Sequence, residues 1–151
     1  SQKVREKAVL VYDTMWHSTQ QMAENIAEGI SEEGVAVRPM KLREWHRSDI
    51  MTEVLDAKAV LVGSPTLNNG LFPTVADFLA YMKGLRPKNK TGAAFGSYGW
   101  SGEAPGMIHK ALEEMQFQML SSIFKLQYVP DIEGIEACRE LGRKVGKAIK
   151  A

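Results

Sequence analysis

Thr14, Ser18 and Thr19 place three hydroxyl groups in one short turn, with no Lys or Arg among Asp13–Thr19. The turn lies where an apolar run, Ala8–Tyr12, gives way to a helical period. From Gln20 onward Met22, Ala23, Ile26, Ala27 and Ile30 fall on one stripe, with Gln21, Glu24, Asn25 and Glu28 opposite. A helix start offers free backbone N–H groups and the positive end of its dipole, and hydroxyl donors beside it complete a site for a phosphate. A phosphate-transferring loop would need G-x-x-x-x-G-K-[ST], and a dinucleotide fingerprint G-x-G-x-x-G; neither is present here. Hydroxyls without a cation suit a phosphate monoester that is held, not transferred. An ordinary capped helix would use the same residues, because Ser and Thr are favoured N-caps.

The elements that must position this turn alternate along the chain. Strand one is Ala8–Asp13 and helix one is Thr19–Glu33; strand two is Val35–Leu42, followed by a short helix over Ile50–Leu55 capped by Ser48 or Asp49. Ala59–Gly63 is a fully apolar strand, Ser64–Leu71 a polar loop, and Pro73 opens the next helix. Thr91–Ser97 is a buried strand thin in side chains, Tyr98–Gly106 a Gly-rich loop, and Met107–Met115 a helix. Gln118–Val129 holds a last, interrupted strand, and Ile135–Ile149 a final helix with Cys138 on its apolar stripe. Strands separated by helices imply a parallel sheet covered on both faces, an α/β doubly wound fold with five strands in the order 2-1-3-4-5. Residues 8–151 form this domain, and the polar stretch 1–7 reads as a linker remnant.

Composition narrows the partners. The 151 residues carry a formal net charge of +1, and with no basic cluster beyond the tail and the Arg86–Lys90 turn, nucleic acid is not an expected partner. No apolar run approaches the ~20 residues that span a bilayer. A single cysteine excludes an intrachain disulfide and fits a reducing, cytoplasmic setting. His17, His46 and His109 are scattered, so no metal site is expected.

In a doubly wound sheet ligands bind beyond the carboxyl ends of the strands, where strand order reverses. Three loops must meet there: 14–19, 64–71 and 97–104. The second mixes Pro65, Thr66, Leu67, Asn68 and Asn69; the third sets Tyr98 and Trp100 between Gly99, Gly102 and the hydroxyls of Ser97 and Ser101. Flat apolar surfaces next to amide donors suit a heteroaromatic ring, and with the phosphate turn they describe flavin mononucleotide (FMN). A glycine-rich turn whose aromatic rings pack into the core is the competing explanation of the third loop.

These segments also resemble a known family. Tyr12–Thr19, Val62–Asn69 and Gly96–Gly102, with 85–90 and 140–144, are similar to the flavodoxin-like FMN domain of flavodiiron (A-type) flavoproteins, over nearly the whole chain. The resemblance implies that Thr14, Met15, Trp16, His17, Ser18 and Thr19 hold the FMN phosphate. It implies too that Pro65, Thr66, Leu67, Asn68, Asn69, Ser97, Tyr98, Gly99, Trp100, Ser101 and Gly102 enclose the ring. In that family FMN takes electrons from rubredoxin or a similar donor and passes them to a diiron site that reduces dioxygen or nitric oxide. The diiron site lies on another domain, brought near by a head-to-tail dimer. A free-standing flavodoxin, or a small NAD(P)H-dependent FMN reductase, is the alternative. His17 departs from free flavodoxins, which carry Gly there. With only Asp13 and Glu103 acidic in the ligand loops, full reduction of the flavin is expected at a less negative potential than in acidic flavodoxins.

Overall fold

Ala8–Val11 and Ala59–Val62 alternate their side chains between two apolar layers, and that sets the architecture. The computed structural model describes residues 5–120 and 123–151. Its elements run β1 (Arg5–Tyr12), α1 (Ser18–Glu32), β2 (Ala36–Lys41), a 3-10 turn (Leu42–Glu44), α2 (Arg47–Asp56) and β3 (Ala57–Gly63). There follow β4 (Thr66–Leu67), β5 (Gly70–Leu71), α3 (Pro73–Leu85), β6 (Thr91–Tyr98), α4 (Glu103–Glu114), β7 (Gln118–Met119), β8 (Phe124–Gln127) and α5 (Ile132–Lys150).

The main sheet is parallel throughout, ordered β2-β1-β3-β6, with β7 and β8 both pairing with β6. β7 pairs with Thr91–Gly92 and β8 with Phe95–Tyr98, so the two share the fifth position. This is the expected 2-1-3-4-5 order with its last strand interrupted. Val9, Val11, Val60 and Val62 face one core with residues of α2, α3 and α4; Ala8, Leu10, Ala59 and Leu61 face the other with α1 and α5. Helices α1 and α5 approach so closely that a Cβ at Gly142 would overlap the Ile26 carbonyl oxygen. A Cβ at Gly29 would overlap the Arg139 carbonyl oxygen.

Several boundaries differ from the sequence reading. β1 begins at Arg5, so residues 5–7 of the expected linker belong to the sheet, and Lys7 pairs with Glu53 and Asp56; residues 1–4 lie outside the described residues. The segment read as a polar loop over Ser64–Leu71 contains a small antiparallel hairpin, β4–β5. Asn68 (φ 50) and Asn69 (φ 62) sit at its tip, the two left-handed positions of a type I′ turn, which Asn tolerates. Leu67 and Leu71 are half-buried, and Leu71 packs against the core. Helix α4 starts at Glu103, four residues before the expected Met107, because Pro105 fits a first turn that needs no N–H from it. His46, not Ser48 or Asp49, caps α2: its Nδ1 accepts from the Ser48 N–H at 3.1 Å.

Cys138 is fully buried on α5, and burial pushes its thiol up to about 12. The thiolate is the reactive form, so the folded protein is expected to resist iodoacetamide at pH 8 and to react on unfolding. Rapid alkylation of native protein would contradict this burial.

Candidate functional site

The carboxyl ends of β1, β3 and β6 bring the three loops to one rim. Loop one, Asp13–His17, turns through two successive left-handed residues, Trp16 (φ 62) and His17 (φ 65). His17 thus adopts the conformation that Gly would take without strain. As the N-cap it gives α1 no side-chain cap, and the side chains beside that uncapped start are hydroxyls: Thr14, Ser18 and Thr19, all buried. The Thr14 Oγ1 accepts from the Gln20 N–H at 3.4 Å, and the Thr19 and Ser97 hydroxyls lie 2.8 Å apart, joining loop one to loop three. The N-cap residue itself gives no side-chain bond, and Thr14 reaches a first-turn N–H of α1 only at 3.4 Å, so the capping explanation accounts for Thr14 and not for Thr19, whose hydroxyl bonds across to Ser97.

Asp13 belongs to the frame. Its carboxylate is completely buried and accepts from the Thr14 N–H (2.9 Å), Arg43 Nε (2.7 Å) and the Thr74 hydroxyl (2.7 Å). Arg43 Nη2 also donates to the Thr14 carbonyl at 2.7 Å. The acidic charge anticipated near the ring is therefore already paired.

Loops two and three are tied to each other. Thr66 Oγ1 accepts from the Ala104 N–H at 3.1 Å, and the Ser101 hydroxyl donates to Asn69 Oδ1 at 2.8 Å. Ser64, buried, donates to the Pro65 carbonyl and accepts from the Phe72 N–H. A Cβ at Gly96 would overlap the Ser64 carbonyl oxygen, so β6 can lie this close to loop two only with glycine there. Trp100 is 96% exposed and Trp16 84%. Packing of the third loop's aromatics into the core is thereby excluded for Trp100; Tyr98 is half-buried, with Lys125 Nζ 5.5 Å from its ring centroid.

Two hollows flank loop one. The first, about 220 Å³, is walled by Met15, Trp16 and Ser18 of loop one, Pro65 and Thr66 of loop two, and Ser97, Tyr98 and Gly99 of loop three. Tyr128 and Val129 complete it. The second, about 250 Å³, is lined by Thr14, Met15, Trp16, His17, Arg43 and Phe72. Thr19, Leu67, Asn68, Asn69, Trp100, Ser101 and Gly102 do not line either hollow. Tyr128, Val129 and Arg43 were not anticipated. Tyr128 and Val129 follow β8, which pairs with the carboxyl end of β6 and so ends at this rim; their apolar side chains just beyond a strand were the available signal.

A larger hollow of about 450 Å³ between residues 42–47 and α3 is a poorer candidate for a phosphate ester. Its charged lining, Arg47 and Asp77, is paired with itself at 3.6 Å. Among the described residues no group of three His, Cys, Asp or Glu side chains could hold a metal ion. Among the described residues no helix is long and apolar enough to cross a membrane. A helix start among buried hydroxyls, next to an apolar slot bordered by the exposed indole of Trp16, fits a flat ring that carries a phosphate tail.

Comparison with known proteins agrees. The sequence matches the Flavodoxin family over residues 10–142. It is 46% identical over 150 residues to the rubredoxin-oxygen oxidoreductase of Megalodesulfovibrio gigas, covering 99% of this chain and 37% of that one. It is 44% identical over 146 residues to the nitric oxide reductase of Moorella thermoacetica, covering 96% and 37%. The chain thus spans little more than a third of these relatives' length. Among solved structures, the Desulfovibrio gigas rubredoxin oxygen:oxidoreductase superposes with a TM-score of 0.94 at 45% identity, covering 99% of this chain and 37% of that one. A flavodoxin from the domain Archaea gives 0.88 at 31% identity, covering 96% of this chain and 99% of that one. The chain belongs to the flavodoxin family, whose cofactor is FMN.

Proposed function

We propose that this chain is the FMN-binding electron-transfer part of a flavodiiron-type dioxygen or nitric oxide reductase. It would relay electrons from rubredoxin or a similar donor to a diiron site on another domain, across a head-to-tail dimer, in the cytoplasm. The observation that carries this reading is the match to the rubredoxin-oxygen oxidoreductase, which spans 99% of this chain and only 37% of the relative. A free-standing flavodoxin is the second reading, favoured by the archaeal flavodoxin that the chain covers almost end to end.

The residues divide the work of binding. Thr14, Ser18 and Thr19, with the N–H groups of residues 15–19, hold the phosphate; Met15, Trp16 and His17 shape the turn. Pro65, Thr66, Leu67, Asn68 and Asn69 form one side of the ring site, and Ser97, Tyr98, Gly99, Trp100, Ser101 and Gly102 the other. Bound FMN supplies the one- and two-electron chemistry, and the protein sets its orientation and surroundings. Because Asp13 is paired with Arg43, Glu103 is the one acidic side chain of these loops left to oppose negative charge on the ring. A less negative potential for full reduction than in acidic flavodoxins follows.

Protein incubated with FMN and freed of excess should stay yellow and quench flavin fluorescence, and reduced rubredoxin should bleach it in a stopped-flow mixing experiment. In Trp100→Ala the affinity should fall by roughly 0.5–1.5 kcal/mol beyond the lost area burial, the worth of an aromatic stacking pair. A colourless product defeats the flavin reading. A yellow protein that rubredoxin does not reduce defeats the relay and leaves the flavodoxin reading standing.

A further inference from the structure

We propose that Arg43 is the positioning cation of the phosphate end, and that it sets the preference of this site for a phosphorylated flavin over its dephosphorylated form. The inference rests on loop one being the phosphate site. That loop contains no cation of its own, and directly behind it lies a buried carboxylate, Asp13. An unpaired negative charge there would oppose a phosphate dianion bound at the same loop.

Arg43 removes that opposition by bridging two groups on either side of one peptide. Its Nε donates to Asp13 Oδ1 and its Nη2 to the Thr14 carbonyl, both at 2.7 Å. The second bond fixes the peptide from which the phosphate turn begins. The other carboxylate oxygen accepts from the Thr74 hydroxyl at 2.7 Å, so both oxygens have donors. Two bonds leave guanidinium donors over, and among the described residues these have no partner. The side chain is 54% exposed and lines the same hollow as Thr14 and His17, at the open start of α1. A lysine could supply the charge but not the planar fork that joins a carboxylate to a carbonyl. The ring end lies in the other hollow, whose lining does not include Arg43.

The charge count gives the test. Asp13 and Arg43 together contribute zero, Arg43→Gln leaves −1, and Asp13→Asn/Arg43→Gln returns to zero. Flavin-freed protein of each kind is titrated with FMN and with riboflavin at low and high salt, following flavin fluorescence, with thermal melts alongside. In Arg43→Gln the FMN-to-riboflavin affinity ratio should fall about tenfold, the scale of one charge-assisted contact. The double variant should recover most of that loss even where its melting temperature is lower, because the charge is restored and the fork is not. A parallel fall for both flavins, or an unchanged ratio, overturns the proposal and makes Arg43 a purely structural brace. Wild-type protein with no preference for FMN over riboflavin overturns the reading of loop one itself, which is a separate outcome.

Discussion

Alanine at both Thr14 and Thr19 is expected to weaken FMN binding by roughly two to four orders of magnitude, the largest loss among changes that leave the backbone intact. Each hydroxyl donating to a charged acceptor contributes about 1.5–3 kcal/mol, and the two side chains flank the same helix start, whose N-cap residue gives no side-chain bond. Neither can be replaced by water without cost, because Thr14 is 2% exposed and Thr19 not at all. Thr19 has a second role: its hydroxyl lies 2.8 Å from that of Ser97, so alanine also loosens the tie between loops one and three. Riboflavin binding should fall much less, since the ring site keeps its walls. Fluorescence titrations of both flavins check the prediction, and an FMN affinity within threefold of wild type would remove these hydroxyls from the phosphate site.

The helix stripe of α1, the apolar runs of β1 and β3 and the strand order were legible because each is a local pattern that burial enforces. The meeting of three loops at one rim was legible too, since it follows from strand order alone. What escaped reading was non-local or conformational. Arg43 lies thirty residues beyond Asp13 in sequence, and its approach depends on how the 3-10 turn after β2 folds back over β1. The left-handed pair Trp16–His17 is invisible in residue type, because neither residue advertises positive φ as Gly does. The hairpin at 66–71 hid behind a polar composition, although Asn68-Asn69 is a recognisable turn pair. Lys90, counted with a basic turn, is buried, with its ammonium on the carbonyls of Leu55 and Ala57 at the opposite end of the sheet. Burial pushes that ammonium below its usual range. Composition placed the charge; only packing shows that it closes a strand end.

Stability and the site meet in α1, whose start is the proposed phosphate end and whose body lies against α5. Gly142→Ala is expected to destabilise the protein by about 2–4 kcal/mol, although alanine is the better helix former. The new methyl would overlap the Ile26 carbonyl oxygen and crowd the Gly29 Cα, so two helix backbones must separate. No rotamer relieves a clash between a Cβ and a backbone. Gly84→Ala in α3 is the contrasting case: nothing lies within 4 Å of the added Cβ, and a gain of up to about 1 kcal/mol is expected. Denaturant midpoints with unchanged m-values measure both. Separation of α1 from α5 should also displace Ser18 and Thr19 relative to Ser97, because the helix moves as a rigid rod. Gly142→Ala should therefore weaken FMN binding from a position on the far side of the helix, while Gly84→Ala leaves it unchanged. Equal melting behaviour of the two variants would mean that the α1–α5 contact is looser than its glycines require.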